Sequence, residues 1–173
     1  VVGDSMDGTR EAIENLEEDK IKIIDSVWDN SLRSGGKLFA EQSNIGVRNA
    51  TGDWLIHLQA DEVLMEDAQK EILACINRAN TKSNIDGILF PFLHFWGDYK
   101  HIRNTRRTHR YEIRAFKNNR NILSFRDSQG FRKYGKKKNG EKLKVIKTET
   151  KVFHYSYSRN PKLMKKKANY FKR

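Results

Sequence analysis

The chain of 173 residues carries 34 Lys+Arg against 22 Asp+Glu, a net charge of +12, with 37% apolar residues, two prolines and one cysteine. This is the size of one domain with a real core; it is too apolar for a disordered polycation, and no apolar run approaches the ~20 residues of a membrane-spanning helix. A lone Cys75 excludes an intramolecular disulfide framework and a multi-cysteine zinc cage; no signal-peptide pattern is visible at the start, and a reducing compartment is the default.

Val1 and Val2 read as the tail of a buried strand that turns at Gly3, Asp4 and Ser5, and the absent initiator Met predicts further sequence upstream. Asp7-Gly8-Thr9 opens a helix with Ala12, Ile13 and Leu16 at helical spacing, and Ile21–Asp25 is a short β-branched strand. After a Gly35-Gly36 break, a second helix is expected over Lys37–Ala50, closed by Gly52 as a left-handed C-cap. Trp54–Leu58 has the continuous apolar pattern of a strand buried on both faces of a parallel sheet. A third helix places Ala68, Ile72, Cys75, Ile76 and Ala79 on one stripe, and a long apolar strand runs from Ile85 to about Trp96. This alternation predicts an α/β architecture.

At Asp98 the charge changes sign. Residues 1–98 hold 9 Lys+Arg and 18 Asp+Glu, net −9, whereas residues 99–173 hold 25 and 4, net +21. A uniformly basic nucleic-acid binder is not built this way; carboxylates are available for metal or ribose in the first part and cations for anionic surfaces in the second. The basic part reads as strands at Tyr111–Lys117, Ile122–Arg126 and Val152–Tyr157, a Gly/Lys/Asn-rich loop at Gly135–Lys142, and a cationic helix opened by Asn160 and Pro161. Leu163, Met164, Ala168 and Phe171 form that helix's apolar stripe.

In an open parallel sheet, ligands meet the carboxyl ends of the strands. Asp4, Ser5 and Asp7, Asp25, and the cluster Gln59-Ala60-Asp61-Glu62 all follow strand-like runs. Asp61 and Glu62 would supply hard oxygen ligands suited to Mg²⁺ or Mn²⁺ on a diphosphate. Acids in the first turn of the next helix are the other reading, and local features leave both open.

Three separated motifs, Val2-Gly3-Asp4-Ser5-Met6-Asp7-Gly8-Thr9, Ala40-Glu41-Gln42-Ser43-Asn44-Ile45-Gly46 and Ala50-Thr51-Gly52-Asp53-Trp54-Leu55-Ile56-His57-Leu58-Gln59-Ala60-Asp61-Glu62, resemble the inverting GT-A glycosyltransferases of family 2. The resemblance covers about the first hundred residues and implies a Rossmann-like GT-A nucleotide-sugar domain. Its sheet would be mixed and mainly parallel, with residues 1–98 binding the donor and residues 99–173 forming a basic α+β acceptor side. The family's usual first strand and helix would be missing ahead of Val1.

By position, the resemblance implies that Asp4 lies near the base and ribose. Gln59, Ala60 and Asp61 correspond to a D-x-D element whose first carboxylate has become an amide, so Gln59 would meet the donor and Asp61 the metal and diphosphate. His154 resembles a late histidine that approaches the same metal; a structural histidine in an alternating strand is the other reading. The general base would come from Glu112, Asp127, Glu141 or Glu149. Asp127, closing a strand-like run and opening the turn Asp127-Ser128-Gln129-Gly130, is the best placed of the four, with a plain turn cap as the alternative.

The implied reaction is inverting transfer from a nucleotide-diphosphate sugar to a glycan, lipid-linked or lipopolysaccharide hydroxyl, with Mn²⁺ or Mg²⁺, in cell-envelope polysaccharide synthesis. Arg103, Arg106, Arg107 and Arg110 are placed to hold phosphate, and Lys162, Lys165, Lys166, Lys167, Lys172 and Arg173 to rest on an anionic membrane; solvated cationic faces are the alternative. The expected location is the cytoplasm or the inner face of a membrane. Two other functions compete: a nucleic-acid module using the +21 part, disfavoured by the acidic part and the lack of a recognised motif, and a truncated GT-A domain that folds without catalysing.

Overall fold

The computed structural model describes every residue except Asp4, Asn30, residues 33–35, Arg107, residues 127–129 and residues 172–173; of residues 167, 168, 170 and 171 the backbone alone is described. Asp4 and Asp127, both expected at the site, therefore lie outside the described residues. The elements are α1 (Thr9–Glu14), α2 (Lys37–Asn49), β1 (Trp54–Ile56), β2 (Glu62–Val63), α3 (Ala68–Asn80), β3 (Gly87–Trp96), β4 (Tyr111–Lys117), β5 (Ile122–Ser124), β6 (Phe131–Lys133), β7 (Glu141–Lys142), β8 (Val145–Lys147), β9 (Val152–Tyr157) and α4 (Pro161–Phe171).

A six-stranded sheet runs β1-β4-β3-β9-β2, with β8 added to β3, and β5-β6-β7 make a separate antiparallel sheet. The strand β3 is the spine. One of its edges pairs with β4; the other pairs with β8 over residues 87–89 and with β9 from residue 92 onwards. Those last two pairings are parallel, while β1/β4, β3/β4 and β2/β9 are antiparallel. The expectation holds in that the sheet is mixed and is corrected in that antiparallel pairings outnumber parallel ones, three to two among the described residues.

Its main error concerns Trp54–Leu58. This segment is apolar throughout, yet β1 is an edge strand antiparallel to β4, with Ile56 48% and Leu58 40% exposed. Both side chains line an open cleft rather than a covered face, so the continuous apolar run records a cleft wall. The expected strand Ile21–Asp25 likewise reduces to one parallel bridge, Val2 to Asp25, held by Val2 N to Ile24 O and Ser26 N to Val2 O. Nor is Gly52 a left-handed cap. Helix α2 ends in Ala50, whose extended backbone (φ −80°, ψ 141°) leads straight into β1, and the Gly52 carbonyl accepts from the Asn118 side-chain Nδ2 at 2.8 Å.

Two clusters form the core. Ala68, Ile72 and Cys75 of α3 pack on Ile88, Phe90 and Phe92 of β3 with Ala115 and Val152. Val47 of α2, Leu55, Phe116, Ile122, Phe131 and Leu143 form the second, in which Phe116 and Phe131 stack at 4.0 Å. Phe90 and Phe116 are fully buried, each contributing about 1.5–3 kcal/mol through removal from water. The last helix starts as expected, with Asn160 Oδ1 accepting the Lys162 amide at 2.9 Å ahead of a proline that needs no partner. Among the described residues no helix is long and apolar enough to cross a membrane.

Candidate active site

A cleft of about 600 Å³ opens between α2 and β1. Gln42, Ser43, Gly46 and Ala50 form its helical wall, and Trp54 to Ala60 form the other. Helix α2 is anchored by its apolar residues and by buried Asn44, whose Oδ1 accepts the Ser124 amide at 2.7 Å. At the base of the cleft, His57 Nε2 meets Ser43 Oγ at 3.2 Å, and Ser43 donates to Phe39 O at 3.0 Å. The hydroxyl's single proton being committed, His57 donates from Nε2, and its Nδ1 is a buried acceptor without a hydrogen-bond partner among the described residues. Burial, aided by the nearby Arg114 charge, lowers the His57 pKa to about 4, so the ring is neutral.

The strand then turns through Gln59-Ala60-Asp61-Glu62, closed by Glu62 N to Gln59 O at 3.0 Å. Glu62 does not face a ligand. Its carboxylate is 1% exposed and receives both Nε (2.8 Å) and Nη2 (2.6 Å) of Arg114, while Oε2 also accepts the Gln59 amide. The expected metal ligand is instead the brace of the turn, a correction that follows from a register slip. Ile88 pairs with Ala115 but Leu89 pairs with Ile113, so Arg114 is an extra residue in β4. Bulges redirect side chains in this way, and Arg114 turns over the Phe92 ring towards Glu62.

With Glu62 withdrawn, Asp61 is the carboxylate left at the turn. Its carbonyl accepts the Tyr155 amide at 2.8 Å, and β2 pairs Glu62 with His154, so the backbone brings Asp61 Oδ1 to 3.8 Å from His154 Nε2. Both side chains are mostly buried. Behind His154 stands His94 of β3, its register partner. His94 Nε2 contacts the His109 carbonyl at 2.8 Å, which can only accept, so the His94 proton is on Nε2. His94 Nδ1 is then an acceptor for His154 Nδ1–H at 2.7 Å, and the bare nitrogen of His154 is Nε2.

Burial lowers the pKa of His94 and His154, and takes that of His109 to about 4, so the rings are neutral at pH 7. A carboxylate oxygen and an imidazole lone pair therefore face each other with nothing to share. That donor set fits a divalent cation. Mg²⁺ and Mn²⁺ are commonly held by one or two protein ligands, substrate phosphates completing the shell, and a ligating histidine ordinarily donates its other ring N–H to an acceptor that fixes the tautomer, the place that His94 Nδ1 takes here. Among the described residues no group of three or more His, Cys, Asp or Glu side chains forms a self-sufficient cage.

A model of the family described as Glycosyl transferase family 2 matches residues 1–137, most of the chain. The chain belongs to glycosyl transferase family 2. It is accordingly a glycosyltransferase domain with the α/β GT-A fold. A search of curated proteins found no match. The family match stops before β9, so His154 comes from sequence it does not reach.

Of the residues expected at the site of this family 2 domain, Gln59 lines the cleft, Asp61 follows the cleft-lining Ala60 and meets His154, and Asp4 and Asp127 lie outside the described residues. Sequence reasoning missed His94, His109 and Arg114. A histidine inside the apolar run Gly87–Trp96 was the available signal for the first. Glu112, weighed as a base or as an arginine partner, is half-buried on β4 close to Gly130, and burial raises its pKa to about 7.

Proposed function

We propose that this family 2 domain transfers a sugar from a nucleotide-diphosphate donor to a hydroxyl acceptor with inversion at the anomeric carbon. The observation that carries the reading is the pairing of Asp61, one residue beyond the cleft-lining Ala60, with the bare Nε2 of His154. The α2/β1 cleft is large enough for a nucleoside, and Gln59 offers a neutral amide beside it. Asp61 and His154 would hold a divalent cation, Mn²⁺ or Mg²⁺, which neutralises charge building on the leaving diphosphate. Asp4 completes the nucleotide contacts in this reading.

The acceptor oxygen forms a bond to the anomeric carbon as the carbon–phosphate-oxygen bond breaks, the electron pair leaving on the nucleoside diphosphate. The acceptor's proton passes to the Asp127 carboxylate. The acceptor is a glycan or lipid-linked sugar, and the +21 charge of residues 99–173 favours one that is anionic. Exposed Lys162, Lys165 and Lys166 on α4 are the contact to an anionic membrane face, in the cytoplasm, where cell-envelope polysaccharide would be assembled.

Calorimetry with Mn²⁺ and a panel of UDP, GDP, ADP and dTDP tests the reading. One nucleotide is expected to bind in a metal-dependent manner, with Asp61→Ala abolishing the dependence and Asp127→Asn keeping binding while losing transfer. Metal-independent binding, or none with any of the four, overturns it.

A further inference from the structure

Trp96 closes β3 with 47% of its surface exposed, and its position is built. Its amide donates to His101 O at 2.9 Å, and the Arg103 amide donates to His94 O at 2.8 Å, folding the chain back at Gly97 so that Arg103 lies beside the indole. The Arg103 guanidinium is 4.4 Å from the centre of the Trp96 ring and 5.7 Å from that of Tyr157, and the two rings are 4.9 Å apart. Even with both neighbours against it, Trp96 keeps 47% of its surface exposed, so part of the indole is available to a ligand.

A second register slip puts Tyr157 there. Between His94 and Trp96, β3 advances two residues while β9 advances three, from His154 to Tyr157. Without the extra residue, Tyr157 would point away from the face that carries the histidines; with it, the Tyr157 ring is 6.2 Å from that of His154. The aromatic pair thus continues the surface of the Asp61–His154 site.

Arg103 has no carboxylate partner among the described residues. Asp98, the acid of the same turn, is engaged by the Lys100 and His101 amides and the His101 ring at 2.8–2.9 Å. A guanidinium stacked on an aromatic face keeps its N–H groups in its own plane, directed outward and able to grip an anion by two parallel hydrogen bonds.

We propose that Trp96, Tyr157 and Arg103 form the acceptor subsite, and that it takes a sugar carrying an anionic substituent, phosphate or carboxylate. The apolar C–H face of the pyranose lies on the exposed part of the Trp96 indole and Arg103 holds the anion. This assignment as an acceptor subsite rests on the transferase reading above.

The test uses the three tryptophans, Trp28, Trp54 and Trp96, whose indole N–H groups give separate signals in a ¹H–¹⁵N spectrum. The full chain is titrated with glucose 6-phosphate, glucuronic acid, glucose and inorganic phosphate. The Trp96 signal, assigned through Trp96→Phe, is expected to shift with both anionic sugars, glucose needing about tenfold more ligand and inorganic phosphate leaving it in place. Arg103→Gln is expected to bring the anionic sugars down to the level of glucose; this variant also identifies the signal should Trp96→Phe fail to fold. No response to any sugar, an equal response to glucose, or an equal response to inorganic phosphate overturns the proposal. A parallel titration with the nucleoside diphosphates and Mn²⁺ is read at Trp54, which lines the cleft. Silence there with a sugar response at Trp96 overturns the transferase reading and the acceptor role while leaving the sugar site standing; the reverse pattern overturns the sugar site alone.

Discussion

Arg114 and Glu62 form a two-pronged ion pair, 2.8 and 2.6 Å, in which neither side chain is more than 3% exposed. It joins the bulge of β4 to the turn that presents Asp61. Two buried charges compensate each other, so removing one leaves the other stranded.

Glu62→Leu or Arg114→Met alone is therefore expected to destabilise the fold by about 3–5 kcal/mol, and the double variant by much less than the sum. Urea unfolding of the four proteins measures the coupling. Additive losses would show that the pair is not a unit.

His94→Phe removes the acceptor that fixes His154 with its proton on Nδ1. Loss of such a support ordinarily weakens metal binding by about 10- to 100-fold. Mn²⁺ affinity, followed by electron paramagnetic resonance in the presence of the nucleotide, is expected to fall in that range, and an unchanged affinity would remove His94 from the support of the site.

Glu112 has a folded pKa of about 7 against an ordinary 4.5, because burial disfavours its charge. The native state thus holds a proton that the unfolded chain releases, so this group's contribution is most favourable below pH 4.5 and is lost as pH rises through 7. Glu112→Gln, which mimics the neutral acid, is expected to raise stability by about 1–2 kcal/mol at pH 8 and to leave it unchanged at pH 4. Thermal melts at the two pH values decide this.

His57 behaves in the opposite sense. Its folded pKa of about 4 lies below the ordinary 6.5, so the unfolded chain takes up the extra proton and stability is lost as pH falls from 6.5 towards 4. Between pH 7 and 5 the ring accounts for about 2 kcal/mol of that loss. His57→Leu is expected to flatten the stability profile over this interval by a similar amount, as read from denaturant midpoints.

The strands Tyr111–Lys117 and Val152–Tyr157 were legible to the residue from their apolar–polar alternation, which matches the burial of the second, whereas in the first the bulge leaves Arg114, Ala115 and Phe116 buried in a row. Trp54–Leu58 misled because a cleft wall and a doubly covered strand look alike in one dimension. Asp61 and His154 could be picked out as individuals, since each follows or lies within a recognisable strand. Their support could not. Arg114 reaches Glu62 only because β4 carries an extra residue, and nothing in Glu112-Ile113-Arg114 announces the slip. His94 was hidden by the apolar residues around it, although a neutral histidine with both nitrogens hydrogen-bonded is at home in such a strand.

The position of β9 between β3 and β2 has a consequence for how the protein is made. During synthesis, β3 and β2 leave the ribosome long before the strand that must lie between them, and until it arrives each presents an open edge. Asp61 and His154 cannot meet earlier. The growing chain is then most exposed to sticking and to chaperone capture while residues 97–151 are being added, and completion of the sheet and assembly of the site become a single late event.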